Sequence, residues 1–339
     1  MTDRSHTQTA AKKGYGRYFE LIFRVLVVGL LAYVIYDQIL VRENAAELWS
    51  TFVVTLENSN PFFLVTALLL MPLNWILESK KWQLLISNFE KQHLRQAIKA
   101  ILGGVVFSLF TPARVGEYGG RLLFVKAENN WRAIAATMVG SLSQLIIVVF
   151  FGGIGLILFS QHVAFVADFP RLSMIFIWLA VVSVGVFFFF NIDILINLVK
   201  RVRFLSRFKG VVKAVRVVKQ YPKQTLLKAV GISAVRYMVY SLQYLLLLYF
   251  FGIKVPIIDA FSGISGIFFI QTGIPLPPIW DLLARGEVAI QFWGVFGANK
   301  LSILAATFSL WVINLILPAL VGIGFVIRIN LLKSIGYEK

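Results

Sequence analysis

The sequence predicts an all-α integral membrane protein: about six transmembrane helices plus two re-entrant or broken helical segments in an inverted-repeat arrangement. Three observations predict it. The chain has 339 residues, 58% hydrophobic and only 14% charged, with a mean hydropathy of +0.79, more apolar surface than a soluble domain of this size carries. Several apolar runs approach the roughly 20 residues that a helix needs to cross the hydrocarbon core. The net charge of +17 comes from basic residues that flank those runs, which points to the anionic cytoplasmic leaflet and away from nucleic acid.

In chain order, residues 1–18 form a basic tail with Lys12, Lys13 and Arg17, expected in the cytoplasm. Leu21–Leu40 reads as a retained first span, because YDQILVREN lacks a small-residue cleavage pattern. In NAAELWSTFVVTLEN, residues Trp49, Phe52, Val53 and Leu56 share an apolar face, the mark of an outer interfacial helix. Pro61–Leu77 is the second span, ending at Glu78, Lys80, Lys81 and the basic KQHLRQAIK. Further spans are Ala133–Phe159, Leu172–Asn191, Ala229–Phe251 and Leu301–Ile327, with Asn314 and Pro318 marking a kink in the last. A single membrane domain, residues 19–335, holds them all.

Two apolar stretches do not fit as spans. Ile98–Phe110 has about thirteen residues, a rise of only about 20 Å against a core of about 30 Å. Ile257–Ile274 is broken by glycines and runs into prolines. Charge fixes what they do. Residues 193–228 carry ten Lys and Arg against Asp193 alone, so that loop is cytoplasmic, with VKAVRVVKQ as a surface helix against anionic lipid. Between cytoplasmic Lys99 and cytoplasmic Asp193 the crossings must be even, and two spans already supply them. The first awkward segment therefore dips in from the cytoplasm and returns. The same count toward the basic C-terminus (Arg328, Lys333) makes the second dip in from outside. Such backbone is tolerated at depth only where protein or water satisfies it, and paired broken segments in two halves point to a mid-membrane site.

Both segments end in a polar elbow, near 98–121 and 257–287. The first gives Thr111, Pro112, Arg114, Gly116 and Glu117, followed by Arg121. The second gives Pro275, Pro277 and Pro278, then Asp281, Arg285, Gly286 and Glu287. Thr111 is placed to cap a helix with Pro112 in its first turn. Arg114, Glu117 and Arg121, spaced three and four apart, then share one face, as do Asp281 and Arg285. Arginines beside a helix N-terminus in a low-dielectric site receive an anionic oxygen group such as phosphate. A nearby carboxylate balances them or receives an amine. The alternative is internal pairing, Arg114–Glu117 and Arg285–Glu287, that only pins the elbows. Among polar residues inside spans, Gln144 (with Ser141 and Ser143) and Arg236 are further substrate-binding candidates. Helix-to-helix hydrogen bonding and snorkelling to the cytoplasmic face are the competing explanations.

Enzymatic chemistry finds little support. There are no cysteines, and the three histidines, His6, His93 and His162, lie in the tail or connections. Metal sites and cysteine or Ser-His-Asp nucleophiles are not expected. GGIGLILF is a span interior, not a nucleotide loop. The longest polar connection is about 36 residues, too short for a soluble catalytic domain. No cofactor is expected.

TPARVGEYGGR, followed by AIAATMVGSLSQL, resembles the signature of the lysylphosphatidylglycerol synthase transmembrane-region family. The later P…R-G-E elbow is similar to that family's second motif, which has more glycine before the Arg-Glu where this chain has WDLLARGE. The resemblance runs from about residue 20 to 330. It implies a multi-pass protein of a bacterial plasma (inner) membrane with both termini cytoplasmic. In two-domain members this region is associated with moving aminoacylated phospholipid between leaflets, while a separate cytosolic domain makes the lipid; no synthase domain is read in this sequence. The expected function is thus that of a lipid translocase, or flippase, moving a phospholipid, aminoacylated or otherwise modified, past the Arg/Glu elbows. Arginines would hold the phosphate, with Glu117 or Glu287 receiving an amine. The alternatives are a non-transporting lipid-binding or complex-stabilising protein, and an enzyme of lipid-linked group transfer. Expected partners are membrane phospholipids and the anionic leaflet, with a second copy of the chain or a separate lipid-modifying enzyme as candidates.

Overall fold

The computed structural model describes residues 45–111, 114–162, 170–191, 194, 221–273 and 278–327. The first span Leu21–Leu40, the basic tail, Pro112, Pro277 and most of the basic loop lie outside them. The chain divides into two compact units, residues 1–53 and 54–339. Helix α1, Ala45–Glu57, covers the described part of the first unit, with Trp49 exposed, and runs into the second.

Everything else belongs to the second unit, and among the described residues it is helical without a strand. Helix α2, Pro61–Ile86, starts at Asn60, whose Oδ1 accepts a hydrogen bond from Phe62 N at 3.0 Å, with proline in the first turn. Helices α3, Leu94–Ser108, and α4, Gly116–Leu122, follow. Then come α5, Asn130–Phe159, α6, Arg171–Phe190, and α7, Lys223–Phe250, which ends where Gly252 takes φ 75°. Helices α8, Ile257–Thr272, and α9, Pro278–Trp293, precede α10, Lys300–Trp311, and α11, Leu317–Val326. A π-helical stretch, Val312–Ile316, joins the last two, at the kink expected around Asn314. Among the described residues, five helical segments are long and apolar enough to cross a membrane: α2, residues 127–159, α6, α7 and the composite residues 300–326. The protein is an all-α membrane protein.

The two awkward segments are both helical hairpins. In the first, α3 runs in and α4 returns against it. Gly120 lies so close to α3 that a Cβ there would sit 2.6 Å from Gly103 O and 2.7 Å from Gly104 Cα. The hairpin closes at its base, where Gln92 Nε2 donates to Phe124 O (2.8 Å) and Glu90 Oε2 accepts from Lys126 N (3.2 Å) and Asn129 Nδ2 (3.0 Å). In the second, α8 runs in and α9 returns, with Gly263 and Gly266 packed under Trp293 and Phe292. The base of this hairpin rests on Phe159, which stacks on Phe292 with ring centroids 4.9 Å apart. The first base therefore meets the N-terminal end of α5 and the second base its C-terminal end. The hairpins rest on opposite ends of this one helix, and their described inner ends, at Ser108 and Arg114 and at Gln271 and Asp281, line a common cavity with Gln144 and Val148 near its middle.

Three expectations need correction. The second span does not end before its charges: α2 continues through Glu78 and Lys81 to Ile86, and both charged side chains are buried. They are tolerated because each has an oppositely charged partner. The helix expected at the first elbow is described only from Gly116, where α4 starts, so Arg114 precedes it. Arg236 does not snorkel to the surface, for it lies at the middle of α7 and is paired there.

Candidate functional site

The first elbow folds as a turn held by one side chain. Thr111 Oγ1 accepts a hydrogen bond from Gly116 N at 2.7 Å, so the threonine bridges the turn to the start of α4. A Cβ on Gly116 would overlap Phe107 O, which makes glycine obligatory. Between them Arg114 takes φ 58°, among the described residues the only non-glycine in left-handed backbone, a conformation that persists only where its surroundings impose it. Arg114 therefore does not share a helix face with Glu117 and Arg121. It precedes the helix, about half exposed, 4.0 Å from Glu117.

Glu117 and Arg121 belong to a buried ionic cluster centred on a residue that sequence reasoning passed over. Glu78 pairs with Arg121 at 3.0 Å through Oε1. Through Oε2 it pairs with Lys81 at 2.9 Å and with Arg236 at 3.0 Å. Glu117 pairs directly with Arg121 one turn away on α4. Two tryptophans of α2 complete the cluster: Trp82 lies 5.1 Å from the Arg121 guanidinium and Trp75 5.5 Å from that of Arg236. Lys81 also donates to Gly140 O (3.2 Å) and Ser233 Oγ (3.3 Å). Glu78 thus ties α2, the first hairpin and α7 together.

From Arg236 the polar contacts continue into an open space. Its Nε donates to Asn74 Oδ1 at 2.9 Å and its Nη1 to Gln144 Oε1 at 3.4 Å. Asn74 Nδ2 donates in turn to Asn314 Oδ1 in the π-helical stretch at 2.9 Å. These residues sit at the middles of α2, α5 and α7, and they line a cavity of about 230 Å³. Arg114 reaches the cavity from the first hairpin; Gln271, Asp281 and Arg285 reach it from the second. Arg285 donates to Asp281 Oδ2 (2.8 Å) and Gln271 Oε1 (2.7 Å). Trp75, Tyr237, Tyr240, Phe268 and Trp311 supply an aromatic wall.

Of the sequence candidates, Arg114, Gln144, Arg236, Asp281 and Arg285 thus share one cavity. Glu117 and Arg121 do not line it; they are committed to the cluster behind it. Glu287 is exposed away from it and accepts from Gln291 at 3.0 Å, so Arg285 pairs with Asp281 and not with Glu287. Gly286 is buried where a Cβ would meet Leu304 Cδ2 at 2.8 Å, letting α9 pack on α10. Of the two helices that follow the elbows, α4 has only seven residues, and the first turn of α9 carries Asp281. The cationic groups of the described cavity lining are the guanidiniums of Arg114, Arg236 and Arg285. Asn74, Glu78, Lys81, Gln271 and Asn314 are the polar residues sequence reading missed. The spacing of Asn74, Glu78 and Lys81, four and three apart on one helix face, is the signal that could have found the first three.

This is a polytopic helical membrane protein whose two hairpins and spanning helices line a cationic, aromatic-walled cavity. The model of the lysylphosphatidylglycerol synthase transmembrane region matches residues 21–322, and the chain belongs to that family. No curated protein matches the chain.

Proposed function

We propose that the protein is a lipid translocase, in which a phospholipid headgroup crosses the membrane by way of the mid-depth cavity. The observation that carries this reading is the meeting of Arg114 from one hairpin with Arg285 from the other beside Arg236. An anionic headgroup leaving either leaflet meets guanidiniums at the depth where its desolvation is most costly, and guanidinium is the side chain best matched to phosphate oxygens. Two hairpins opening from opposite ends give the cavity alternate routes to the two leaflets. Membership of a family named for the membrane region of a lipid synthase supports a lipid substrate.

Reconstituting the purified chain in proteoliposomes with headgroup-labelled phospholipids tests this. Wild type moves label between leaflets faster than empty liposomes do, and Arg114→Ala and Arg285→Ala, each shown to be folded, lose most of the excess. Movement at the empty-liposome rate for every headgroup tried would refute the reading.

A further inference from the structure

We propose that the cavity selects phospholipids whose headgroup is net anionic and carries no ammonium, such as a polyol phosphodiester, and discriminates against aminoacylated headgroups. The proposal rests on the reading of the cavity as the lipid path. It follows from where the carboxylates are. Among the described residues three guanidiniums, of Arg114, Arg236 and Arg285, line the cavity against one carboxylate, Asp281. That carboxylate is engaged by Arg285 at 2.8 Å. The other acidic groups nearby are withdrawn: Glu78 is buried among three cations, Glu117 is paired with Arg121, and Glu287 faces away. Arg114, its side chain 48% exposed, keeps among the described residues only the 4.0 Å contact to Glu117.

An aminoacyl headgroup would bring one or two ammonium groups into this enclosure. Among the described residues no unpaired carboxylate lines this enclosure to receive them, and they would face Arg114, the cavity guanidinium with the weakest carboxylate contact, in a medium that screens poorly. Building like charges against the wrong ligand is a common source of specificity. The phosphate alone is well matched: it neutralises part of the excess positive charge and offers oxygens to the planar guanidiniums. Beyond the phosphate the wall offers neutral groups, the amide of Gln271 and the hydroxyls of Thr272 and Tyr240. These suit the hydroxyls of a glycerol or sugar. Asp281, held by Arg285, orients that guanidinium and does not serve as an amine receptor.

The test is equilibrium binding to the full chain in detergent, read by tryptophan fluorescence, since Trp75 and Trp311 line the cavity. Dioctanoyl-phosphatidylglycerol, dioctanoyl-phosphatidylethanolamine, a short-chain lysylphosphatidylglycerol and free glycerol phosphate are titrated separately. The expected order is phosphatidylglycerol tightest, phosphatidylethanolamine weaker, and lysylphosphatidylglycerol weakest by about tenfold or more, with glycerol phosphate well below the matching lipid. Arg114→Glu, checked for folding by thermal melting, narrows or inverts the gap between the first and the third; Arg114→Gln narrows it with less perturbation. Equal or tighter binding of lysylphosphatidylglycerol overturns the selectivity, as does an unchanged order in folded Arg114→Glu. Glycerol phosphate binding as tightly as the lipid reassigns the site to a soluble anion. In proteoliposomes, equal movement of both lipids sinks the selectivity and leaves the translocase standing. The binding order without any lipid movement sinks the translocase and leaves the selectivity standing.

Discussion

The two hairpins share an outline, and they are held by different forces. The first, α3 with α4, is anchored electrostatically: its returning helix sends Arg121 into the buried cluster around Glu78, and its backbones touch through Gly120. The second, α8 with α9, is anchored by aromatic packing: Phe292 and Trp293 lie under Phe159, and Trp293 Nε1 donates to Tyr244 at 3.2 Å. Its charged pair, Asp281 and Arg285, is instead free of the packing and faces the cavity. The same local pattern of proline, arginine, glycine and glutamate therefore divides its labour differently. In the first hairpin one arginine meets the cavity and the Glu–Arg pair holds the fold. In the second the Asp–Arg pair meets the cavity and the glutamate is peripheral.

That contrast can be broken by mutation. The largest effect is expected at Glu78, although it lies in neither elbow. Glu78→Ala leaves Lys81, Arg121 and Arg236 buried around a missing anion, and loss of one member of such a cluster costs about 3–5 kcal/mol. A sharp fall in folded yield and melting temperature in detergent is the expected result; a normal melt would show that the cluster does not hold the first hairpin. Gly120→Ala should come next, about 1–3 kcal/mol from a methyl group forced against the Gly103 carbonyl, measured in the same melts. Arg114→Ala and Arg285→Ala should leave stability nearly intact and slow lipid movement about tenfold to a hundredfold, from loss of a charged hydrogen bond to phosphate of about 1.5–3 kcal/mol. Glu287→Ala should be the mildest, within about 0.5 kcal/mol and without effect on movement. A transport defect there would mean that the second elbow follows the first after all.

Much of this architecture was legible because the physics that creates it is visible in one dimension. A run too short to cross a bilayer, flanked by basic segments expected on the same side, is expected to turn back, and the described helices do pair as hairpins, α3 with α4 and α8 with α9. The arginines of the elbows stood out because charge beside apolar sequence is expensive. Glu78 stood out less because charge at the end of an apolar run is the ordinary sign of a helix leaving the membrane. Whether it is that or a buried cluster depends on Arg121 and Arg236, 43 and 158 residues away in sequence. The left-handed backbone of Arg114 was equally hidden, since arginine has no preference for it; the constraint comes from Thr111 bridging to Gly116. Which carboxylate meets Arg285 was a choice between Asp281 at four residues and Glu287 at two, and helical geometry favours the former.

The central claim is that the two hairpins serve one site, and a double-mutant cycle on lipid movement in proteoliposomes tests it most directly. If Arg114 and Arg285 grip the same headgroup, the Arg114→Ala/Arg285→Ala double variant is hardly slower than the worse single variant, and the cycle shows coupling well above its error. If the two losses simply multiply, or if either variant moves lipid like wild type, the hairpins do not share a substrate and the account of a common mid-depth site is wrong.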